Sequence, residues 1–140
     1  MALSEIATSV ATDIDTQGIG FAPILKHYLE KCGIESIIDE RVDTDARRKK
    51  VTHGQAAVAM ITAIFFQAMQ LYRISRFADE TTVLNVIYPD IKPAEYFDDR
   101  LGDTLDALKR HGLGDLEVLM TRHIMDVFGI GADMVHNDTT

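Results

Sequence analysis

The sequence predicts a mainly α-helical fold, a compact multi-helix domain built around one long apolar helix. Residues 51–72 contain no Asp, Glu, Lys or Arg, and segments on both sides carry apolar residues at helical spacing. A helix that is apolar on nearly every side has to be buried. With 140 residues, of which 46% are hydrophobic, the chain is long enough to enclose such a helix in one core.

The central helix is expected to run continuously over residues 52–72. Thr52 followed by Gln55 forms a capping box, in which each side chain accepts a hydrogen bond from the other residue's backbone N–H. About 20 apolar residues can also span a bilayer, but the Ala, Gln and Thr residues here dilute the hydrophobicity that insertion requires. We therefore expect a buried core helix and no membrane association. Its most buried side chains should include Ile61, Ile64 and Phe65.

The residues before this helix divide into an arm and two helices. Residues 1–19 are mostly small and polar and predict a flexible N-terminal arm. Residues 21–32 place their apolar side chains on one helical face, and Gly33 suits the C-terminal cap. Cys32 falls on that face, which favours a core thiol over a reactive one. Ile34, Ile37 and Ile38 predict a second, short helix that ends near Asp39 and Glu40.

Charge is unevenly distributed along the chain. The net charge of −8 argues against a protein whose whole surface contacts DNA. Residues 41–50, however, contain five basic and two acidic residues and carry +3, which leaves −11 for the remainder. The basic run in residues 47–50 directly precedes the central helix, whose N-terminal N–H groups also favour phosphate. It predicts either a phosphate contact or, as charge runs more often do, only a solvated loop.

The residues after the central helix extend the same pattern. Residues 73–77 are interpreted as helix that continues or restarts after a kink, with Arg73 and Arg76 on one face. Residues 81–88 are rich in β-branched side chains and leave helix and strand open, although the helical neighbours favour helix. The candidate DNA-binding residues of the whole chain are Arg47, Arg48, Lys49, Lys50, Arg73 and Arg76.

Two further helices are expected over residues 99–111 and 115–128, joined by a Gly-containing turn. Asp98 or Asp99 suits the N-cap of the first helix, which explains this carboxylate pair better than catalysis does. The second helix is acidic, so the two helices are a poor match to a DNA-binding helix-turn-helix motif. His123 lies in the apolar stripe of that helix without a partner at metal-ligand spacing. It is expected to be packed and hydrogen-bonded, not a metal ligand.

The last residues have the pattern expected of the first part of a β-strand. Residues 134–140 would place His136, Asp138 and Thr140 on one face, and such a strand alone has no neighbour to pair with. The sequence is thus divided into three parts. They are an arm over residues 1–19, a helical domain over 20–130, and the start of a further unit over 131–140.

Five segments of the chain carry a family resemblance. They are IDTQGIGFAPILKHYLEKCGIESIID (14–39), RRKKVTHGQAAVAMI (47–61), LYRISRF (71–77), DDRLGDTLDALKRHG (98–112) and VHNDTT (135–140). Together they resemble the N-terminal region of insertion-sequence DDE transposases, in the group whose leading domain is known only as a domain of unknown function. The resemblance covers nearly the whole chain, and VHNDTT and DDRLGDTLDAL are its most specific pieces.

The resemblance implies a role for Asp138 as the first metal-binding carboxylate of a ribonuclease-H-like catalytic core. In such a core two divalent metals, Mg²⁺ in this family, drive in-line attack on a phosphodiester. The sequence ends two residues after Asp138, so it does not contain the family's second Asp, its Glu or its remaining strands. The resemblance therefore implies a truncated copy or fragment with an incomplete catalytic site. No enzymatic activity, metal or cofactor is expected of this chain alone.

The expected function is that of a non-catalytic N-terminal part of an insertion-sequence transposase, in DNA-end binding or in transposase assembly. Its expected partners are transposon-end DNA, a second copy of the chain or a full-length transposase. The alternative is a protein-interaction module without DNA affinity, which the acidic bulk of the chain favours. A single cysteine and the lack of a signal-peptide pattern favour a cytoplasmic, nucleoid-associated location.

Overall fold

The computed structural model describes residues 18–45 and 50–131. Within these residues the chain forms seven α-helices and two short 3-10 helices, which confirms the mainly α fold. The 3-10 helices span Leu71–Arg73 and Pro93–Glu95. The α-helices are α1 (Ala22–Lys31), α2 (Ile34–Arg41), α3 (His53–Phe66), α4 (Ile74–Glu80), α5 (Val83–Ile87), α6 (Asp98–His111) and α7 (Leu113–Phe128).

Helix α3 lies at the centre of the fold, as the sequence predicts. One of its sides packs on α4, α5 and α6, a second on α2, α6 and α7, and a third on α1 and α5. The predicted capping box is present at its start. The Gln55 N–H donates to Thr52 Oγ1 at 3.1 Å, and the Thr52 N–H donates to Gln55 Oε1 at 3.0 Å. The start of the core helix is therefore set by local sequence.

Small side chains predominate on the buried faces of α3. Its buried small residues are Gly54, Ala56, Ala57, Ala59 and Ala63. Small residues let neighbouring helices approach closely, and α2 comes closest at Gly54. A Cβ added at Gly54 would lie 2.5 Å from the backbone oxygen of Glu35. A side chain of any size at this position would push the two helices apart.

The central helix is shorter than predicted. Helix α3 ends at Phe66, and the Gln67 N–H donates to the carbonyl of Ala63 as the backbone becomes extended. The segment Leu71–Glu80 then leaves at 88° to α3. This turn folds Met69 and Leu71 back onto the core instead of carrying them past it. No single helix within the described ranges is long and apolar enough to cross a membrane. Helix α3 and the segment Leu71–Glu80 reach the required length and apolar composition only when they are counted together, and the 88° bend separates them.

The expected burial at the end of the central helix is wrong for its large side chains. Ile64 and Phe65 are 63% and 61% exposed, and Ile61 is half-buried. They lie in the last two turns of α3, where neighbouring helices no longer cover every side. The small residues nearer the N-terminus are the ones in contact on all faces. The apolar composition predicted that the helix is buried, but it did not predict which end the neighbouring helices bury.

The other helices follow the predicted spacing with small shifts in their boundaries. Residues 83–87 form helix α5, the alternative that the helical neighbours favoured, while α2 ends at Arg41, close to the predicted end, and α7 begins at Leu113 instead of Asp115. Asp98 and Asp99 are not N-caps, because Phe97 holds that position and no side chain caps the helix. The two carboxylates instead occupy the first turn of α6, where negative charge suits the helix dipole.

Three predictions fall on parts of the chain that lie outside the described ranges. Residues 1–17 of the N-terminal arm, residues 46–49 of the basic loop and residues 132–140 of the strand start are not described.

Candidate functional site

The six predicted DNA-binding residues are not gathered into one positive surface in the part of the chain that the structure describes. Arg47, Arg48 and Lys49 lie outside it. Lys50 Nζ is 3.0 Å from Glu95 Oε1, and its side chain is otherwise exposed. Arg76 Nε is 2.6 Å from Glu80 Oε1, whose hydrogen bond and charge raise the pKa of Arg76. Arg73 is exposed at the end of a 3-10 helix.

Lys50, the last residue of the basic run, lines an acidic groove. This groove has a volume of about 940 Å³, and its carboxylates come from Glu95, Asp98, Asp99, Asp103 and Asp106. Its positive residues are Lys50 and the buried Arg100, whose guanidinium donates a hydrogen bond to the carbonyl of Val51. Carboxylates at close range repel a phosphate backbone. Lys50 and Arg76 thus form ion pairs, and Arg100 binds the backbone at Val51. DNA binding remains a prediction.

No metal-binding cluster is found where the structure can be described. Residues 18–45 and 50–131 contain no group of three or more His, Cys, Asp or Glu side chains that could hold a metal ion. Asp138 lies outside these ranges. His123 is half-buried, and its Nε2 lies 3.2 Å from the Lys31 carbonyl oxygen. The prediction of a packed, hydrogen-bonded histidine is confirmed.

A second histidine, His53, is part of the buried structure at the start of α3. Its Nδ1 lies 3.0 Å from Thr104 Oγ1 on α6, and its backbone N–H donates to Thr44 Oγ1 at 3.3 Å. The side chain is 6% exposed. The histidine of the HGQA segment therefore joins α3 to α6 and to the loop after α2.

A polar cluster between α2 and α5 was not foreseen from the sequence. The Tyr88 hydroxyl donates to Glu35 Oε2 at 2.5 Å. Burial, followed by the hydrogen bond and charge of Glu35, raises the pKa of Tyr88 well above its ordinary value. Burial also raises the pKa of Tyr96, with a smaller contribution from Glu35. The paired residues are 53 positions apart, and neither lies in a motif that would indicate the contact.

A second groove of the described chain lies beside α3 and is apolar. It has a volume of about 620 Å³ and lies between α3, α6 and α7. Its principal lining residues are Met60, Ile61, Ile64, Leu105, Leu108, Leu113, Leu116, Met120 and Ile124. Ile64, Leu105 and Leu113 are 63%, 45% and 61% exposed. Only Glu117 and Thr121 add polar side chains to the groove.

Helix α7 is the least covered wall of this groove. The sequence predicts a buried side that includes Leu116, Met120 and Ile124, but in α7 only Leu116 is buried. At its far end the Phe128 ring lies against Tyr28, and Lys31 Nζ is 4.6 Å from the ring centroid. Helix α7 is thus held along one edge while its apolar stripe faces the groove. Exposed apolar surface of this kind is common at protein contact sites.

A known protein family matches the residues that build this surface. The model of the family described as Domain of unknown function (DUF4277) matches residues 14–121, which is most of the chain. The chain belongs to the DUF4277 family. The matched span contains α1 to α6 and half of α7, and therefore most of the apolar groove. No curated protein and no solved structure matches the chain.

Proposed function

We propose that this DUF4277 chain is the non-catalytic N-terminal domain of an insertion-sequence transposase, and that its role is assembly of the transposase through the apolar groove. The resemblance of VHNDTT and DDRLGDTLDAL to that family supports the first half. The exposed, nearly uncharged groove supports the second. In a bacterial cell such a domain would act in the cytoplasm at the nucleoid.

The apolar groove carries the proposal because leaving it in water is costly. Fully burying one Leu or Ile side chain is worth about 1.5–3 kcal/mol, and Ile64, Leu105 and Leu113 are each about half exposed or more. The partner we propose is a second copy of the chain, facing the groove with its own exposed Ile64 and Phe65. Contact between copies through one shared surface gives a two-fold dimer.

The charges of the described residues favour protein contact over DNA contact. Lys50 and Arg76 are each paired with a carboxylate, and the groove that Lys50 lines is acidic. DNA binding remains the second candidate function, because the run of Arg47, Arg48 and Lys49 is present in the sequence. No catalytic step is assigned to this chain, since the resemblance places only Asp138 of the catalytic carboxylates within it.

The test is the mass of the chain in solution as its concentration rises, measured by sedimentation velocity. We expect reversible self-association that Ile64→Asp weakens, because a charge would then have to be buried in the contact. Ile24→Asp is the matched control, since Ile24 is 62% exposed on α1, outside the groove. Association unaffected by Ile64→Asp, or a monomer at every concentration, would contradict the assembly role.

A further inference from the structure

A cavity with a volume of about 290 Å³ lies between α1, α2 and α5, and Val58 of α3 forms part of its wall. Its apolar wall includes Leu29, Val58 and Ile87, which belong to one buried cluster of the core. The volume is close to the lower end of the range for small-molecule sites in proteins. The cavity therefore offers a small ligand an apolar surface that the fold has already formed.

The charged groups around this cavity are mostly negative. Three carboxylates, those of Glu30, Glu35 and Asp39, share its wall with one ammonium group, that of Lys26. Lys26 Nζ donates to the carbonyl of Val86 at 3.3 Å and lies 4.0 Å from Glu30 Oε1. Glu35 and Asp39 form no ion pair with a cation of the described ranges. The part of the cavity beside these two residues therefore favours a positive ligand.

The fold holds these two carboxylates in place and leaves each of them one oxygen. Glu35 Oε2 accepts the Tyr88 hydroxyl at 2.5 Å, and Asp39 Oδ1 accepts the Gly54 N–H at 2.7 Å. The second oxygen of each carboxylate accepts no hydrogen bond from the residues that the structure describes. A carboxylate oxygen is an acceptor, so the ligand that suits this end of the cavity carries hydrogen-bond donors.

A buried hydroxyl group behind Glu35 also lacks a hydrogen-bond partner. Tyr96 is 1% exposed, and its hydroxyl forms no hydrogen bond within the described part of the chain. After burial, the charge of Glu35 is the cause that raises the pKa of Tyr96, so this hydroxyl points towards the Glu35 carboxylate. An unpaired buried polar group in a folded protein indicates a water or ligand atom beside it.

The arrangement of the carboxylates suits an organic cation better than a metal ion. Residues 18–45 and 50–131 contain no group of three or more His, Cys, Asp or Glu side chains that could hold a metal. A primary ammonium group has three N–H donors, which can bind separate acceptors. Its carbon chain would cover the apolar wall, as expected for a ligand site with few polar groups.

We infer that this cavity binds a small organic ammonium ion, with the charged group at Glu35 and Asp39 and the carbon chain against Leu29, Val58 and Ile87. The carboxylates repel an anionic ligand of the same shape. The site is formed mainly by α1, α2 and α5, whereas the apolar groove lies between α3, α6 and α7. Binding in the cavity therefore does not depend on the proposed assembly role.

The test is an NMR titration of the full chain with n-butylammonium chloride, at an ionic strength held constant with NaCl. We expect saturable shifts of the backbone amide signals of Ser36 and Gly54, which lie at the cavity and at its Asp39 wall. The dissociation constant should be in the millimolar range, because so small a ligand buries little surface. Sodium butyrate should produce no saturable shift. Equal binding of butyrate, or no saturation with n-butylammonium, would overturn the inference.

Two variants that remove a charge and keep its hydrogen bond locate the site. Glu35→Gln retains an acceptor for the Tyr88 hydroxyl and should raise the dissociation constant of n-butylammonium about tenfold, since the ligand loses a charge-assisted hydrogen bond. Asp39→Asn retains an acceptor for the Gly54 N–H and should weaken binding in the same direction. Glu40→Gln is the matched control, because Glu40 is exposed on the same helix and outside the cavity.

The pattern across the variants decides the outcome. Weaker binding in Glu35→Gln and Asp39→Asn, with unchanged binding in Glu40→Gln and unchanged urea midpoints, supports the site. Equal weakening by all three substitutions would show only attraction to an acidic surface and would overturn the inference. Unchanged binding in both Glu35→Gln and Asp39→Asn would also overturn it.

Discussion

The backbone N–H of Gly54 donates a 2.7 Å hydrogen bond to Asp39 Oδ1, where helices α2 and α3 approach most closely. The contact satisfies one of the N–H groups that the first turn of α3 leaves without a helical partner. It also brings a carboxylate to the positive end of the helix dipole. Gly54 is required for this contact, because only a residue without Cβ admits Asp39 and the Glu35 backbone.

Gly54→Ala should therefore destabilise the fold. The added Cβ would overlap backbone as well as side chain, and overpacking of this kind costs roughly 1–3 kcal/mol. Gly102→Ala is the control, because a Cβ at this position in α6 meets nothing within 4 Å. That substitution should stabilise the chain by about 0.5–1 kcal/mol, since alanine favours the helix. Midpoints of urea unfolding measure both, and equal effects would contradict the close approach.

The stability of the fold should decrease in alkaline solution. The pKa values of Tyr88 and Tyr96 are raised in the folded state above the ordinary value of 10.0. Above pH 10 the unfolded chain therefore loses these protons while the folded chain keeps them, so folding free energy is lost as pH rises. The loss is at most about 1.4 kcal/mol per pH unit for each tyrosine, and less for the half-buried Tyr88 because solvent reaches its ring.

Tyr88→Phe should reduce this pH dependence and also lower stability near neutral pH. The substitution removes the hydrogen bond to Glu35 and leaves a partly buried carboxylate without its donor, which costs about 1–3 kcal/mol. Tyr72→Phe is the control, since Tyr72 is exposed. Urea midpoints measured from pH 7 upward distinguish the two variants. An unchanged alkaline slope in Tyr88→Phe would mean that Tyr88 does not hold its proton in the folded state.

Any binding to duplex DNA should be weak and should fall steeply as salt concentration rises. Phosphate contacts release counterions, and replacing Arg47, Arg48, Lys49 and Lys50 together with Ala should remove the binding without sequence preference. Glu95→Gln should strengthen it, because Lys50 would lose its ion-pair partner. Fluorescence anisotropy at low salt measures these affinities. Tight, sequence-specific binding would favour DNA-end recognition over assembly.

Asp138→Ala should leave the fold unchanged. A single carboxylate binds Mg²⁺ poorly, because this cation keeps most of its waters and needs further carboxylate or phosphate ligands. We therefore expect the same unfolding midpoint in both proteins and no measurable Mg²⁺ binding by calorimetry. Metal-dependent DNA cleavage by the chain, abolished by Asp138→Ala, would show that it holds a complete site.

The candidate site was less predictable from the sequence than the fold. The basic run and the arginines were visible as residue types, but the carboxylates that pair with them come from distant or neighbouring turns. Glu95 is 45 positions from Lys50. The apolar groove was not visible, because its walls come from α3, α6 and α7. Each helix shows an apolar stripe, and only their arrangement determines which stripe residues are left uncovered.

The sequence by itself determined the features that depend on neighbouring residues. Helical spacing, the Thr52–Gln55 capping box and Gly33 after α1 set where helices form and where several of them start and stop. These depend on backbone hydrogen bonds and side chains within a turn or two.

Tertiary structure alone decided where the central helix stops and which of its residues meet solvent. Residues 67–72 are apolar enough to continue α3, but the chain turns there because Met69 and Leu71 gain more by packing on the core. Ile64 and Phe65 are apolar residues of the kind found in cores, and they are exposed because no helix within the described ranges covers them. Burial is a property of the surrounding helices, so the exposed groove emerged only once those helices were placed.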